Sequence, residues 1–460
     1  MRVARALGAM VVSSALLAAC AQGTGGSEET SNASFDSEAE VPSGEVQVMG
    51  FGAGDEIATV RLDLAKEALG SEANVKLIEG DLDIQQFLSS VASGEPPSLV
   101  YAERSLIGTF ASRGAVVPLT DCIEGEGIDT SVVRESALSQ VTFDDEVYGI
   151  PEFNVVQITQ ANADLLKQSG HTIEDVNASD WDAVREANKD LMKMDGGDLS
   201  TIGYDSKLPE FLPLWAKANG ADLISEDGRT AQLDDPAVVE ALEWAVSIYD
   251  DQGGFGEVKA LRDSADFFGD GNQFASGTLG AMPMEQWYVS VLNDVSPDAP
   301  MAFDTVRDLQ GEPIAWASGS AWAIPTNSPN PEAACRMARV MTETDSWIAA
   351  AEERVKLRGE SGGLFTGILT ANEEADAAVQ EMVPTEDASV WSEAVTAMYE
   401  ANDHTFAMPA NPAGDEFEQA WQDEVNKVLT GDKQPADALA DAQQAAQDAL
   451  DEAWATWDEK

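Results

Sequence analysis

From residue 46 onward the chain alternates short apolar, β-rich runs with stretches of helical period, and this alternation limits it to few architectures. VQVMGF (46–51), VKLIEG (75–80) and LVYAE (99–103) have the length and composition of buried strands, and between them IATVRLDLAKEAL (57–69) and IQQFLSSVASG (84–94) have the apolar spacing of helices. Strand, helix, strand in succession is the pattern of an α/β protein with largely parallel strands. In such sheets ligands sit in a crevice beyond the carboxyl ends of the strands, so residues just after a strand are the ones to follow. Two more helices are expected over SDWDAVREANKDLMKM (179–194) and PAVVEALEWAVSIYDDQGG (236–254), the latter opening at Pro236 and closing at Gly253 and Gly254. Near the C-terminus Leu439, Ala442, Ala446, Leu450, Trp454 and Trp457 fall on one stripe of ADALADAQQAAQDALDEAWATW, which predicts a docked terminal helix.

Upstream of this region the chain has a different character. Arg2 and Arg5 precede an apolar run long enough for a signal h-region and short of the ~20 residues that span a bilayer. Residues 6–19 lack the polar face an uncleaved amphipathic helix would need. The run ends in Leu-Ala-Ala-Cys, which resembles the lipobox of bacterial lipoproteins and implies cleavage after residue 19 and a lipid anchor on Cys20. Residues 20–45 have Phe35 and Val41 as their only large apolar side chains and are expected to form a flexible tether, holding the protein at the extracellular face of the cell membrane. No second candidate span follows.

The remaining chain, about 415 residues at ~100–200 per domain, makes two large domains or three small ones. With 83 Asp plus Glu against 26 Lys plus Arg the net charge is −57, which repels nucleic acid phosphates and excludes a nucleic-acid partner. Such acidity suits a highly solvated surface outside the cell or in salt, and a preference for cationic ligands is the other reading. Setting Cys20 aside leaves Cys122 and Cys335, an even pair in an exported, oxidising setting, so a disulfide between them is one of two readings open at this level.

Catalytic apparatus is sparse. GESGG (359–363) matches the G-x-S-x-G nucleophile elbow, with Asp387 and His404 downstream in the order of an α/β-hydrolase, but a charged helical stretch, AAAEERVKLR, precedes Ser361 where a buried strand is required. With His171 and His404 as the only histidines and no H-E-x-x-H, C-x-x-C or Walker loop, zinc chemistry and phosphate cradling lack their ligands, and no cofactor or metal is expected. The acidic clusters DLDI, DGGD and SEDGRTAQLDD lack the spacing of a calcium loop.

Five longer stretches carry a resemblance: SLVYAERSLIGTFASRGAVVPLTDCI, DDEVYGIPEFNVVQITQANADLLKQSG, LPLWAKANGADLISEDGRTAQLDDPAVVEALEWAVSIYDDQGG, GTLGAMPMEQWYVSVL and ASGSAWAIPTNSPNPEAACRMARVM. In this order they resemble the family 1 extracellular solute-binding proteins of ABC sugar importers, the cluster that includes maltose-binding protein. The resemblance implies a two-lobed, periplasmic-binding-protein-like α/β fold that works as a single copy, closes on a carbohydrate in the cleft between lobes and delivers it to a membrane permease; it is a binder and not an enzyme. By position the chain would cross between lobes near Phe153 to Val155, Ser318 to Ala321 and Gly362 to Thr366. Lobe 1 would then comprise 46–153 plus 320–364 and lobe 2 would comprise 154–319 plus 365–460, with GESGG in a hinge whose glycines absorb the φ/ψ change of closure.

Sugars present hydroxyls for hydrogen bonds and apolar ring faces for stacking, so their sites combine carboxylates, amides and arginine with exposed aromatic rings. Against the family pattern these are Gly54 and Asp55 after the first strand, Glu103 and Arg104 after LVYA, and Glu152 and Asn154 at the first crossing. Glu285 and Trp287 stand at the helix beginning MEQW, and Trp316 just before the middle crossing. Each has a plainer reading, with Asp55, Glu152 and the Glu103–Arg104 pair as caps and the tryptophans as packing residues. Trp215, Trp244 and Trp322 look like core, although Trp215 could face the cleft. The rivals are the same fold with a peptide, polyamine or other cation as ligand, favoured by a cleft rich in acids without stacking aromatics, and a secreted hydrolase built on Ser361 and His404.

Overall fold

The computed structural model describes residues 35–384 and 389–459. Its framework is a set of ten strands: β1 (Gly44–Met49), β2 (Ala73–Ile78), β3 (Leu99–Glu103), β4 (Ile150–Pro151), β5 (Gln157–Asn162), β6 (Lys193–Asp195), β7 (Asp198–Tyr204), β8 (Leu279–Glu285), β9 (Met301–Thr305) and β10 (Ser320–Ala323). They form two five-stranded sheets in the orders β2-β1-β3-β10-β4 and β9-β5-β8-β7-β6, one for each lobe.

The expected alternation is present at the N-terminal end, where β1, β2 and β3 are parallel and joined by the helices Glu56–Leu69 and Ile84–Ser93. Acidic residues start both helices: Asp55 accepts from the Ala58 N–H and Asp83 from the Gln86 N–H, while Gly94 closes the second helix in the left-handed region. The sheets are otherwise mixed, which corrects the largely parallel reading. β10 enters the first sheet antiparallel to both β3 and β4, because the chain returns to it from the other lobe. In the second sheet β5 is antiparallel to β8 and to β9, and β6 to β7.

Three segments pass between the sheets side by side. The Val155 N–H donates to Ser318 O at 2.9 Å and the Ser318 N–H donates to Val155 O at 3.1 Å. Asn154 N–H reaches Leu369 O at 3.2 Å and Ala371 N–H reaches Glu152 O at 2.7 Å. The third segment is therefore Leu369–Ala371, later than the Gly362–Thr366 expected from sequence; Gly362 instead caps the helix Thr344–Ser361 in the left-handed region. At the middle crossing the backbones lie so close that a Cβ on Gly319, at φ +143°, would stand 2.3 Å from Phe153 O.

Two other expectations are corrected. Residues 35–45 are not free tether: Phe35 and Val41 pack on the first lobe's core, and Arg336 donates to Ala39 O at 2.8 Å and to Asp36 O at 2.6 Å. Those two apolar side chains are enough to dock the segment. The C-terminal region does not belong to the second lobe alone. The helix Gly414–Leu429 is tied to the first lobe by the Gly414 N–H to Thr109 Oγ1 bond and the Arg113–Glu416 pair. The terminal helix Pro435–Asp458 buries Leu439, Ala442, Ala446, Leu450 and Trp454, lodges Gln443 and Gln447 on the backbone of 229–233, and stacks Trp454 on Phe143. Trp215 is core: it is fully buried and its Nε1–H donates to Ser206 O at 2.8 Å.

Candidate functional site

Where the crossings meet the end of β3 and the start of the helix Gly414–Leu429, the walls part around a cavity of about 310 Å³. Glu103, Gln140, Val155, Trp316, Ser318, Ser320, Met408, Phe417 and Glu418 are among its lining residues. A second cavity, lined by Asp81, Tyr101 and Asp415, shares Glu103, Ser105, Ser320 and Glu418 with it, so the two adjoin.

Each wall is held by local chemistry. Glu103 is the last residue of β3, paired in register with Ser320 of β10. Trp316 is fixed from both sides of its backbone, its N–H donating to Gln157 Oε1 at 2.9 Å and its carbonyl accepting from Gln157 Nε2 at 3.1 Å. Residues 408–411 approach because Gly108 has no side chain; a Cβ there would lie 2.4 Å from Asn411 O. Glu418 accepts from Gln422 Nε2 at 2.7 Å. Burial, and then the nearby Glu103 and Asp415, push its carboxyl above the usual carboxylate range.

The structure brings only Glu103 and Trp316 of the sequence-predicted residues to this cavity's walls. Arg104, Glu152 and Asn154, expected as ligand residues, are fully or almost fully buried and do not line this cavity. Arg104 Nη2 donates to Asn154 Oδ1 at 2.8 Å and to Ser318 O, Asn154 Nδ2 donates to Asn402 Oδ1 at 2.6 Å, and Asn402 Nδ2 donates to Asp376 Oδ2 at 2.7 Å. These groups form a buried chain beneath the crossings that engages Arg104 through Nη2, while its Nε and Nη1 have no hydrogen-bond partner among the described residues. Burial pushes the Arg104 guanidinium down to about 9, still charged at neutral pH. Glu152 is paired with Arg61 in the core.

Asp55 caps its helix and pairs with Arg354 at 2.6 Å, while Gly54 stands open beside it. Glu285 ends β8 half-buried, its carboxyl raised by desolvation. Trp287 is 38% exposed and stacks on Phe268, itself 64% exposed, at 6.2 Å between centroids. They form an aromatic platform outside the cavity walls. Sequence reasoning missed Gln140, Met408, Phe417 and Glu418, and no local pattern marks them: Gln140 follows the helix Glu135–Ser139 and bonds to Ala317 O, and the docking of the C-terminal region brings the other three here.

Among the described residues no group of three or more His, Cys, Asp or Glu is placed to hold a metal ion, and no helix is long and apolar enough to cross a membrane. Ser361 closes a helix and lies exposed, where the elbow geometry needs a strand before it and a helix after it. Its supposed partner Asp387 lies outside the described residues, as do Cys20 and residues 1–19.

Comparison with known proteins agrees with this architecture. A family model described as bacterial extracellular solute-binding protein matches residues 63–357. The arabinooligosaccharide-binding protein of Halalkalibacterium halodurans is 26% identical over 191 residues, 40% of this chain and 39% of that protein, so the match spans well under two thirds of that relative. The maltooligosaccharide ABC transporter solute-binding lipoprotein of Streptococcus pneumoniae is 23% identical over 365 residues, 75% of this chain and 77% of that one. The mannotriose-bound structure of CpMnBP1 shares the fold with a TM-score of 0.70 at 20% identity, over 87% of this chain and 99% of that one.

Proposed function

The chain belongs to the bacterial extracellular solute-binding proteins, and from that premise we propose that it is the receptor of an ABC importer, capturing a sugar or oligosaccharide between its lobes and passing it to a membrane permease. The observation that carries the reading is the cavity at the crossings, whose walls combine an aromatic residue, Trp316, with hydrogen-bonding carboxylates, Glu103 and Glu418. The names of the two relatives, an arabinooligosaccharide and a maltooligosaccharide binder, point to the same class of ligand. In this reading lobe 1 is built on β1 to β4 and β10, lobe 2 on β5 to β9, and the three crossings are the hinge. The protein acts as a monomer, without cofactor or metal, and is a binder and not an enzyme. Cys20 anchors it at the outer face of the membrane; Cys20→Ala should release it, and unchanged membrane fractionation would refute the anchor.

Thermal shift against a panel of mono- and oligosaccharides tests the main claim, since a ligand at 100 Kd stabilises by roughly 2.7 kcal/mol. If no saccharide raises the melting temperature, the reading fails. Trp316→Ala should weaken sugar binding at least tenfold, ~1.4 kcal/mol, with little change in melting temperature. Unchanged affinity with lowered stability would make Trp316 a packing residue. Trp287 and Phe268 provide a second stacking surface, suited to the far end of an oligosaccharide, so Trp287→Ala should cost a trisaccharide more than a monosaccharide. Ser361→Ala should leave binding untouched.

A further inference from the structure

The charges on the cavity walls are all of one sign. Asp81, Glu103, Asp415 and Glu418 line the two adjoining cavities, and no lysine or arginine does. In a chain with 83 acids against 26 bases an acidic surface says little by itself. The informative contrast is with the acids the fold encloses. The four buried among the described residues, Glu126, Glu152, Asp205 and Asp376, are each bound to an arginine: Arg336, Arg61, Arg262 and Arg134 respectively. Half-buried Glu418 and its neighbours Glu103 and Asp415 have no such partner among the described residues; Glu418 accepts from Gln422 and Asp415 from Gln419. Arg104, next in the chain to Glu103, is fully buried, turns its Nη2 to Ser318 O and Asn154 and lines neither cavity.

A second observation is independent of charge. Gln140 lines the first cavity and is 5% exposed. Its Nε2 donates to Ala317 O at 3.2 Å, which fixes the orientation of the amide, and its Oε1 has no hydrogen-bond partner. An enclosed acceptor left unpaired is costly unless a donor arrives. The carboxylates and this amide oxygen ask for donors, whereas the unpaired Nε1–H of Trp316 asks for an acceptor, which a sugar hydroxyl supplies. A neutral sugar hydroxyl brings one donor and two acceptor lone pairs, whereas an ammonium brings three donors and no acceptor.

Resting on the receptor reading above, we propose that the preferred ligand is a saccharide carrying a free amino group, its ammonium held between Glu103 and Glu418 while a sugar face rests on Trp316. The carboxylates then supply charge-assisted hydrogen bonds, and the cation offsets the mutual repulsion of Glu103, Asp415 and Glu418.

Calorimetry on matched pairs tests this: glucosamine against glucose, galactosamine against galactose, mannosamine against mannose, and the fully deacetylated trimer of glucosamine against its N-acetylated counterpart. In at least one pair the amine should bind tenfold or more tightly, the preference should shrink with added salt, and Glu418→Gln should bring the ratio close to one. If neutral sugars bind and no pair shows a preference for the amine, this inference is overturned and the receptor reading stands. If no saccharide binds, both fall. Spermidine binding more tightly than every saccharide would also overturn both, leaving a receptor for cations.

Discussion

Replacing Arg61 with alanine should lower the unfolding free energy by about 3–5 kcal/mol, because it leaves Glu152 as an uncompensated charge in the core. Arg61 lies on the helix Glu56–Leu69 and is fully buried. Its Nη1 bonds to Glu152 and, at 2.7 Å, to Met341 O, its Nε donates to Ile57 O at 3.1 Å, and its guanidinium lies 3.8 Å from the Trp347 ring centroid. Arg61 thus ties together a helix of the first lobe, the first crossing, the end of the helix Pro331–Thr342 and the helix Thr344–Ser361. Removing both charges should cost less than removing Arg61 alone, so Arg61→Met with Glu152→Gln should recover part of the loss. Urea unfolding of the two single variants and the double variant measures the coupling. A loss under ~1 kcal/mol in Arg61→Ala would show that water reaches the site and that the pair is not structurally important.

This pair also shows where sequence reasoning stops. In IATVRLDLAKEAL the arginine is one polar residue on an amphipathic helix, and in GIPEFN the glutamate sits at a crossing where a ligand residue is expected. Each reading is reasonable locally; the separation of 91 residues between them hides the bond that decides the matter. Signals that live within one segment were legible: LVYAE is β3 residue for residue, and the apolar stripe of the terminal helix is buried from Leu439 to Trp454, with Trp457 half-buried at its end. The place of Glu103 on the cavity wall was legible for a related reason, since a residue at a strand's carboxyl end faces the crevice by the geometry of the sheet. The antiparallel entry of β10 could not be read, because its partner strand is chosen by a return from the other lobe and no local pattern encodes direction. Glu418 was hidden for the same reason: on its own helix it is one more acid among many.

Mutating both Cys122 and Cys335 to alanine should cost a further large share of stability, about 3–5 kcal/mol, and the loss should fall on the unfolded chain. The bond joins the helix Thr120–Glu126 to the helix Pro331–Thr342 across a separation of 213 residues, with Cα atoms 5.8 Å apart. In the chain-entropy account a loop this long restricts the denatured ensemble by about 5 kcal/mol, and strain or residual structure subtracts from that figure. The native junction does not depend on the bond alone. Glu126 on the first helix is paired with Arg336 and Arg339 on the second, both cysteines are buried, and Phe35 and Val41 pack on the same core. The double variant should therefore keep its fold and its ligand affinity while its unfolding midpoint falls. Its denaturant slope should rise, since the unlinked denatured chain exposes more surface. Refolding should slow more than unfolding speeds up if the linked loop already brings these helices together in the transition state. Thiol titration in denaturant, before and after reduction, provides the decisive control: reduction should release two further thiols, and if it releases none the bond does not form and the predicted loss has no basis.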